Sequence, residues 1–180
     1  MAILEAWIEH AGEISVIAAR TATGDFVPYD PPENDHSGGI LRRSVFPSSA
    51  SPAMIAEAKN LAKKLADELN YVGVLALELF MTKDGKLLAN EFAPRVHNSG
   101  HWTQDACFTG QFEQHIRAVC GWPLGDPTRH SDGEMLNLLG EDANAWEQHL
   151  TEGAKLHLYG KRRAISGRKM GHITKLKPRG

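Results

Sequence analysis

Apolar and polar positions divide the chain into short apolar runs and one long stretch of helical periodicity. Ile3-Leu4-Glu5-Ala6-Trp7-Ile8 predicts a short strand, His10-Ala11-Gly12 a polar break, and Glu13-Ile14-Ser15-Val16-Ile17 a second strand. A chain that enters directly on an apolar strand looks cut from something longer. Residues 24–39 are rich in Pro, Gly, Asp and Asn, which predicts loops around one short strand at 26–29, with a further strand at 40–46. Ser51-Pro52 is a helix start, because serine caps orphan N–H groups and proline fits the first helical position. Ile55, Ala58, Ala62, Leu65 and Leu69 then share one face of a helix over 52–69.

Two apolar runs, 71–81 and 86–92, flank Lys83-Asp84-Gly85-Lys86, and Asp-Gly between such runs predicts a hairpin with a two-residue turn. Beyond it the pattern predicts a helix at 111–120, a linker at 121–133, a strand at 135–139, a helix near 143–150, and strands at 156–159 and 170–174. The fold class is α+β: an antiparallel sheet with helices on one face over 1–122, then a small β-rich C-terminal subdomain over 123–180.

The chain has 180 residues, 42% of them hydrophobic and 23% charged, which is the range of one ordinary globular domain with a small appendage. A formal net charge of -2 argues against nucleic acid as a partner, since phosphate-backbone affinity needs surplus Lys and Arg. The two cysteines, Cys107 and Cys120, have neither metal-ligand spacing nor the density of a disulfide scaffold. No apolar run is long enough for a membrane helix and no secretory signal is visible, so the expectation is a cytoplasmic protein without a membrane partner.

The hairpin carries the first chemistry. With Asp84 and Gly85 as the turn, Lys83 faces Lys86 and Glu78 lands opposite Glu91. Like charges that face each other across antiparallel strands destabilise the sheet, and a divalent cation would compensate. The bland alternatives are a solvated face or a slip of one residue, which would separate the pair to opposite faces. Phe80, Leu87, Ala89 and Ala93 share the predicted face, and such surroundings favour a cation site over a solvated one.

Glu78-Leu-Phe, the hairpin, and Asn90-Glu91-Phe-Ala-Pro-Arg95-Val-His97-Asn98-Ser-Gly-His101-Trp-Thr together resemble the ATP-grasp ligases, and within them the 5-(carboxyamino)imidazole ribonucleotide synthetases. Tyr159-Gly160-Lys161 and Gly167-Arg168-Lys169-Met170-Gly171-His172 resemble that family's C-terminal signature. There are departures. Ala93 stands where many ATP-grasp relatives carry Asn, and Ile165-Ser166 stand where Arg-Pro is expected. The lobe with the phosphate-binding lysines and glycine-rich lid is absent from this sequence.

The resemblance implies the second lobe of an ATP-grasp, and ATP plus bicarbonate plus aminoimidazole ribonucleotide giving the N-carboxylated product through carboxyphosphate. It implies Mg²⁺, with Mn²⁺ as a substitute, held by Glu78 and Glu91. Glu5, Ala6, Trp7 and Ile8 would be the hinge whose backbone meets adenine; Glu13 would bind ribose, with His36, Asn90 and Glu91 as further nucleotide contacts. Arg95 would pair with bicarbonate or carboxyphosphate through its planar fork. His97, with an imidazole pKa near 6.5, would be the acid/base residue. Asn98 would orient the imidazole of the substrate or the metal shell, and Lys161 and Arg168 would grip its 5'-phosphate. The family implies a homodimer. Two other readings remain open: a non-catalytic binding or assembly module, and an ATP-grasp carboxylase with a different acceptor. His115, His149 and His157 are read as ordinary structural or surface histidines.

Overall fold

The computed structural model describes Ala6 and residues 8–180; the expected strand from Ile3, with Glu5 and Trp7, lies outside the described residues except for Ala6 and Ile8, which are in no strand. Nine strands and four helices follow: β1 Gly12–Arg20, β2 Phe26–Pro28, β3 Glu33–Ser37, β4 Ile40–Phe46, α1 Pro52–Glu68, β5 Gly73–Met81, β6 Leu87–Ala93, α2 Thr103–Ala106, α3 Gln111–Val119, β7 Ser131–Leu139, α4 Trp146–Thr151, β8 Lys155–Leu158 and β9 Lys169–Pro178. All pairings are antiparallel, and the sheet runs β6-β5-β1-β3-β4-β7-β9-β8, with β2 beside β1.

The strand β1 is central and buried on both faces from Ile14 to Ala19. Alternate residues therefore serve different cores. Ile14, Val16 and Ala18, with Leu77 and Leu79 of β5, pack against Ala58 and Ala62 of α1. Ile17 and Ala19, with Val74 and Ala76, pack with Trp102 and Ala106 around α2 on the other face. The α+β class and antiparallel sheet stand as expected, with helices on both faces rather than one, because both central strands need covering twice.

The helix α1 starts as the sequence predicts: Ser51 Oγ accepts the Met54 N–H at 3.3 Å and Pro52 opens the first turn. Its buried stripe is Ala58, Ala62 and Ala66, small residues that let helix and sheet approach closely. The helix ends at Glu68, Asn70 turns the chain at φ 45°, and Leu69 is left 49% exposed rather than on the apolar face.

The strand β3 is a correction. Its residues Glu33-Asn34-Asp35-His36-Ser37 carry no apolar pattern and were expected as loop; cross-strand pairing to β4 and buried hydrogen bonds of Asn34 hold it in the sheet. Through β4, which pairs with β7, residues 131–178 continue the same sheet. Trp102 is core, stacked on Phe46 at 4.3 Å between centroids. Among the described residues no helix is long and apolar enough to cross a membrane.

Candidate metal and nucleotide site

Glu78 and Glu91 do face each other across the β5–β6 hairpin. The turn is longer than predicted: the Thr82 N–H donates to Lys86 O and the Gly85 N–H to Thr82 O, so three residues, Lys83-Asp84-Gly85, form the loop, with Gly85 at φ 79°. Met81 then faces Leu87 and Leu79 faces Ala89, one residue off the two-residue register. A bulge at Asn90 restores it, so that Glu78 meets Glu91. Two expectations change with this. Leu87 packs with Met81 and Leu79 under α1, and Ala89, paired with Leu79, follows them to that face, away from Glu78. Phe80 stays with Glu78, and Ala93 stays on that face in the other core.

Glu78, Glu91 and His97 each offer a ligand atom within 4.8 Å of the others. His97 Nε2 is 3.4 Å from Glu78 Oε1, and both side chains are 11% exposed. Burial raises the Glu78 pKa, with the carboxylates of Glu91 and Glu13 adding to the effect and His36 opposing it. Burial first, then Arg95, Lys169 and His36, lower the His97 pKa to about 4, well below the expected 6.5, so the ring is neutral at neutral pH. Its Nδ1 is engaged with Ser99 Oγ at 2.9 Å.

These residues open onto a cavity of about 810 Å³. Glu13 and His36 line it together, with His36 Nδ1 2.9 Å from Glu13 Oε2, and His10, also in the lining, stacks on Phe80 at 4.6 Å. Asn90, Arg95 and Lys169 line the same cavity. Arg95 is exposed, its Nη1 donating to Val96 O at 3.0 Å. Lys169, the first residue of β9, is a cavity residue missed as a candidate, although it sits inside the Gly-Arg-Lys signature; burial lowers its pKa, against the attraction of Glu78. His10 was missed too, since an isolated histidine gives no signal.

Other candidates lie off the cavity. Asn98 makes a reciprocal amide pair with Asn137, at 2.8 and 2.7 Å, and Asn137 donates on to Leu41 O, so Asn98 ties the loop to β7. The Lys161 Nζ donates to the Lys169 carbonyl, and Arg168 is exposed. Ala6 and Ile8 precede β1, Ala6 exposed and Ile8 half-buried; Glu5 and Trp7 lie outside the described residues. His115 accepts the Val74 N–H at 3.0 Å, an ordinary structural role; His157, 3.0 Å from Asp105, instead stands with Asp105 and His172 in a second group whose ligand atoms lie within 4.8 Å of one another.

The carboxylate pair fits a hard divalent cation. Two oxygen donors meet beside a polar cavity, and among the described residues neither is paired with a Lys or Arg. Fold and site thus define a class: an antiparallel α+β lobe with a paired-carboxylate cation site under a polar cavity. The chain belongs to the ATP-grasp family, its residues 1–112 matching the ATP-grasp domain. Residues 134–179 match the phosphoribosylaminoimidazole carboxylase C-terminal domain.

Relatives agree on one branch of that family. The chain is 55% identical over 179 residues to the N5-carboxyaminoimidazole ribonucleotide synthase of Brucella melitensis, covering 99% of this chain and 49% of that one. It is 50% identical over 177 residues to the Bacillus subtilis protein of the same name, covering 97% and 47%. Among solved structures, N5-carboxyaminoimidazole synthase from Aspergillus clavatus, in complex with ADP and 5-aminoimidazole ribonucleotide, matches with a TM-score of 0.87 at 31% identity, covering 96% of this chain and 48% of that one. The chain spans about half the length of the curated relatives it matches.

Proposed function

We propose that the chain is the cation- and acceptor-binding half of an ATP-dependent carbon–nitrogen ligase that carboxylates 5-aminoimidazole ribonucleotide with bicarbonate, in cytoplasmic purine synthesis. The observation that carries this is the meeting of Glu78 and Glu91 on the cavity that also holds Arg95 and Lys169. The names of the relatives supply the acceptor.

In this reading bicarbonate oxygen attacks the γ-phosphorus and ADP leaves; the ribonucleotide amine then attacks the carboxyphosphate carbon, loses a proton, and phosphate leaves. Glu78 and Glu91 would hold Mg²⁺ or Mn²⁺, which when bound neutralises the phosphate charge. The Arg95 guanidinium is exposed to the cavity and matches a planar oxyanion in two places, so it receives bicarbonate and carboxyphosphate. Lys169, in the same cavity lining, adds a positive charge for the developing phosphate. Glu13, His36 and Asn90 face the nucleotide, the 5–8 segment supplies backbone to adenine, and Lys161 and Arg168 take the 5'-phosphate of the acceptor. The assembly is a homodimer.

The test uses two preparations, the 180-residue chain and a chimera joining it to the N-terminal half of the Brucella relative. Calorimetric titration with Mg-ADP should give heat that Glu78→Gln or Glu91→Gln removes. The chimera should release ADP only with both bicarbonate and aminoimidazole ribonucleotide present, and the chain alone almost none. ADP release that ignores the ribonucleotide, or nucleotide heat indifferent to both glutamates, would overturn the reading.

A further inference from the structure

Ser44, Asn34, Ser15 and Ser99 come from four places in the chain and join in one buried row that ends on His97. The Ser44 hydroxyl donates to Asn34 Oδ1 at 2.7 Å, Asn34 Nδ2 donates to Ser15 Oγ at 2.9 Å, and the Ser15 hydroxyl donates to Ser99 Oγ at 2.7 Å. Ser99 Oγ is 2.9 Å from His97 Nδ1. All four residues are buried. Ser44, Asn34 and Ser15 lie on three adjacent strands, β4, β3 and β1, and Ser15 is the cross-strand partner of Glu78 itself.

The row has a direction. An amide oxygen only accepts and an amide nitrogen only donates, so Asn34 in this orientation sets the polarity. Ser15, having accepted from Asn34, turns its proton to Ser99, and Ser99 turns its own to His97 Nδ1. The Ser99 backbone N–H also points at Nδ1, but at 3.4 Å it is a weak contact beside the hydroxyl at 2.9 Å, so the row and not the backbone decides the tautomer. Nδ1 is therefore an acceptor, and the neutral ring carries its proton on Nε2, 3.4 Å from Glu78 Oε1.

We propose that this row locks His97 as the Nε2–H tautomer, so that the ring turns an N–H toward the Glu78 side and adds no nitrogen ligand to the cation site. Ser15, Asn34 and Ser99 are then positioning residues that set metal choice. With the proton on Nε2 the donor set is two carboxylates, which suits Mg²⁺ and Mn²⁺. The opposite tautomer would aim a lone pair at the site and favour Zn²⁺. The inference rests on reading Glu78 and Glu91 as the cation site, but the tautomer can be measured without any metal.

Nitrogen-15 spectra of the histidine rings, with His97 assigned by loss of its signals in His97→Gln, distinguish protonated from bare nitrogens. The metal-free chain should show a bare Nδ1 and a protonated Nε2. Ser15→Ala should populate the Nδ1–H form and raise Zn²⁺ affinity relative to Mn²⁺ by about ten-fold or more, and Ser15→Thr should restore both. A protonated Nδ1 in the unaltered chain, or a Ser15→Ala protein with unchanged tautomer and metal preference, would overturn the proposal. If Ser15→Ala loses its amide dispersion, the unaltered chain's tautomer decides. A bare Nδ1 without Mg²⁺ or Mn²⁺ binding upholds the lock and sinks the ligase reading, whereas a protonated Nδ1 with Mg²⁺ bound does the reverse.

Discussion

Glu78 faces Glu91 from a buried position on β5; Lys169 attracts Glu78 from the cavity lining, but among the described residues no lysine or arginine forms an ion pair with either carboxylate. The metal-free protein therefore bears a local repulsion that a cation would turn into attraction. Replacing Glu91 by Gln should raise stability in EDTA by about 0.2–1 kcal/mol, the usual cost of facing like charges. Saturating Mn²⁺, at about 100 times its Kd, should stabilise the unaltered protein by about 2.7 kcal/mol, or roughly 5–10 °C in Tm, and leave Glu91→Gln and Glu78→Gln nearly unmoved. Thermal melts in EDTA and in Mn²⁺ check both signs. A Glu91→Gln protein less stable in EDTA than the parent would mean that the pair is not repulsive.

What was legible in the sequence is what local pattern specifies. Ser51-Pro52 and the period of Ile55, Ala58, Ala62 and Leu65 define α1, and Ile40-Leu41 and Val45-Phe46 bracket β4, because cap chemistry and burial repeat act over a few residues. The strand β3 was illegible, since Asn34 and its neighbours hold their place by bonds to Ser44 and Ser15, which no window along the chain contains. The Glu78–Glu91 pairing came out as expected through two departures that cancel, a three-residue loop and a bulge. The faces of Leu87 and Ala89 show that the register between them was read one residue off. Lys169 reaches the cavity only because β9 lies across the sheet, which is tertiary information.

Glycine positions separate clash from strain. A Cβ on Gly133 of β7 would lie 2.1 Å from the Lys175 carbonyl oxygen on β9, and backbone on a paired strand has nowhere to go. Gly85 has open space around it but a φ of +79°. Gly85→Ala should cost about 1–2 kcal/mol, the left-handed penalty alone. Gly133→Ala should cost more, about 3–5 kcal/mol, in the range reserved for severe defects. Urea midpoints of the two variants test the order, and equal losses would show that β7 and β9 separate easily.

The histidine stack makes the fold acid-sensitive. His172 lies between His101 at 4.9 Å and His157 at 4.5 Å, and donates or accepts at Tyr159 OH, 2.7 Å away. Burial lowers the His172 pKa to about 3 and the His101 pKa to about 4, from 6.5. In the window below pH 6.5 the unfolded chain binds protons that the native rings refuse, so the stability they contribute is present above 6.5 and lost as pH falls. The slope should approach about 1.4 kcal/mol per pH unit for each ring. Glu78, with its raised pKa, contributes the opposite sign, so the measurement belongs in a Glu78→Gln background. There, His172→Gln should remove about one proton's worth of slope between pH 6 and 5, read from urea midpoints. An unchanged slope would place a protonated His172 in the native protein.

The bulge on β6 aims two consecutive side chains at one place. In a regular strand Asn90 and Glu91 would point to opposite faces, and with Ala89 on the α1 side it is Glu91 that would enter the layer that holds Leu79. Instead both line the cavity, two residues set against the single Glu78. Deleting Asn90 should regularise the strand and leave Glu91 across from Glu78, because Leu79 already faces Ala89 and the next residue in line would then be Glu91. Cation binding should therefore survive the deletion, whereas Glu91→Gln abolishes it. Nucleotide binding should weaken by about two- to ten-fold in the deletion and equally in Asn90→Ala, the effect of losing one hydrogen bond. Mn²⁺ titration by paramagnetic resonance and Mg-ADP calorimetry measure the two affinities. If deletion removes Mn²⁺ binding while Asn90→Ala keeps it, the bulge is needed to shape the cation site and not to add a second nucleotide contact.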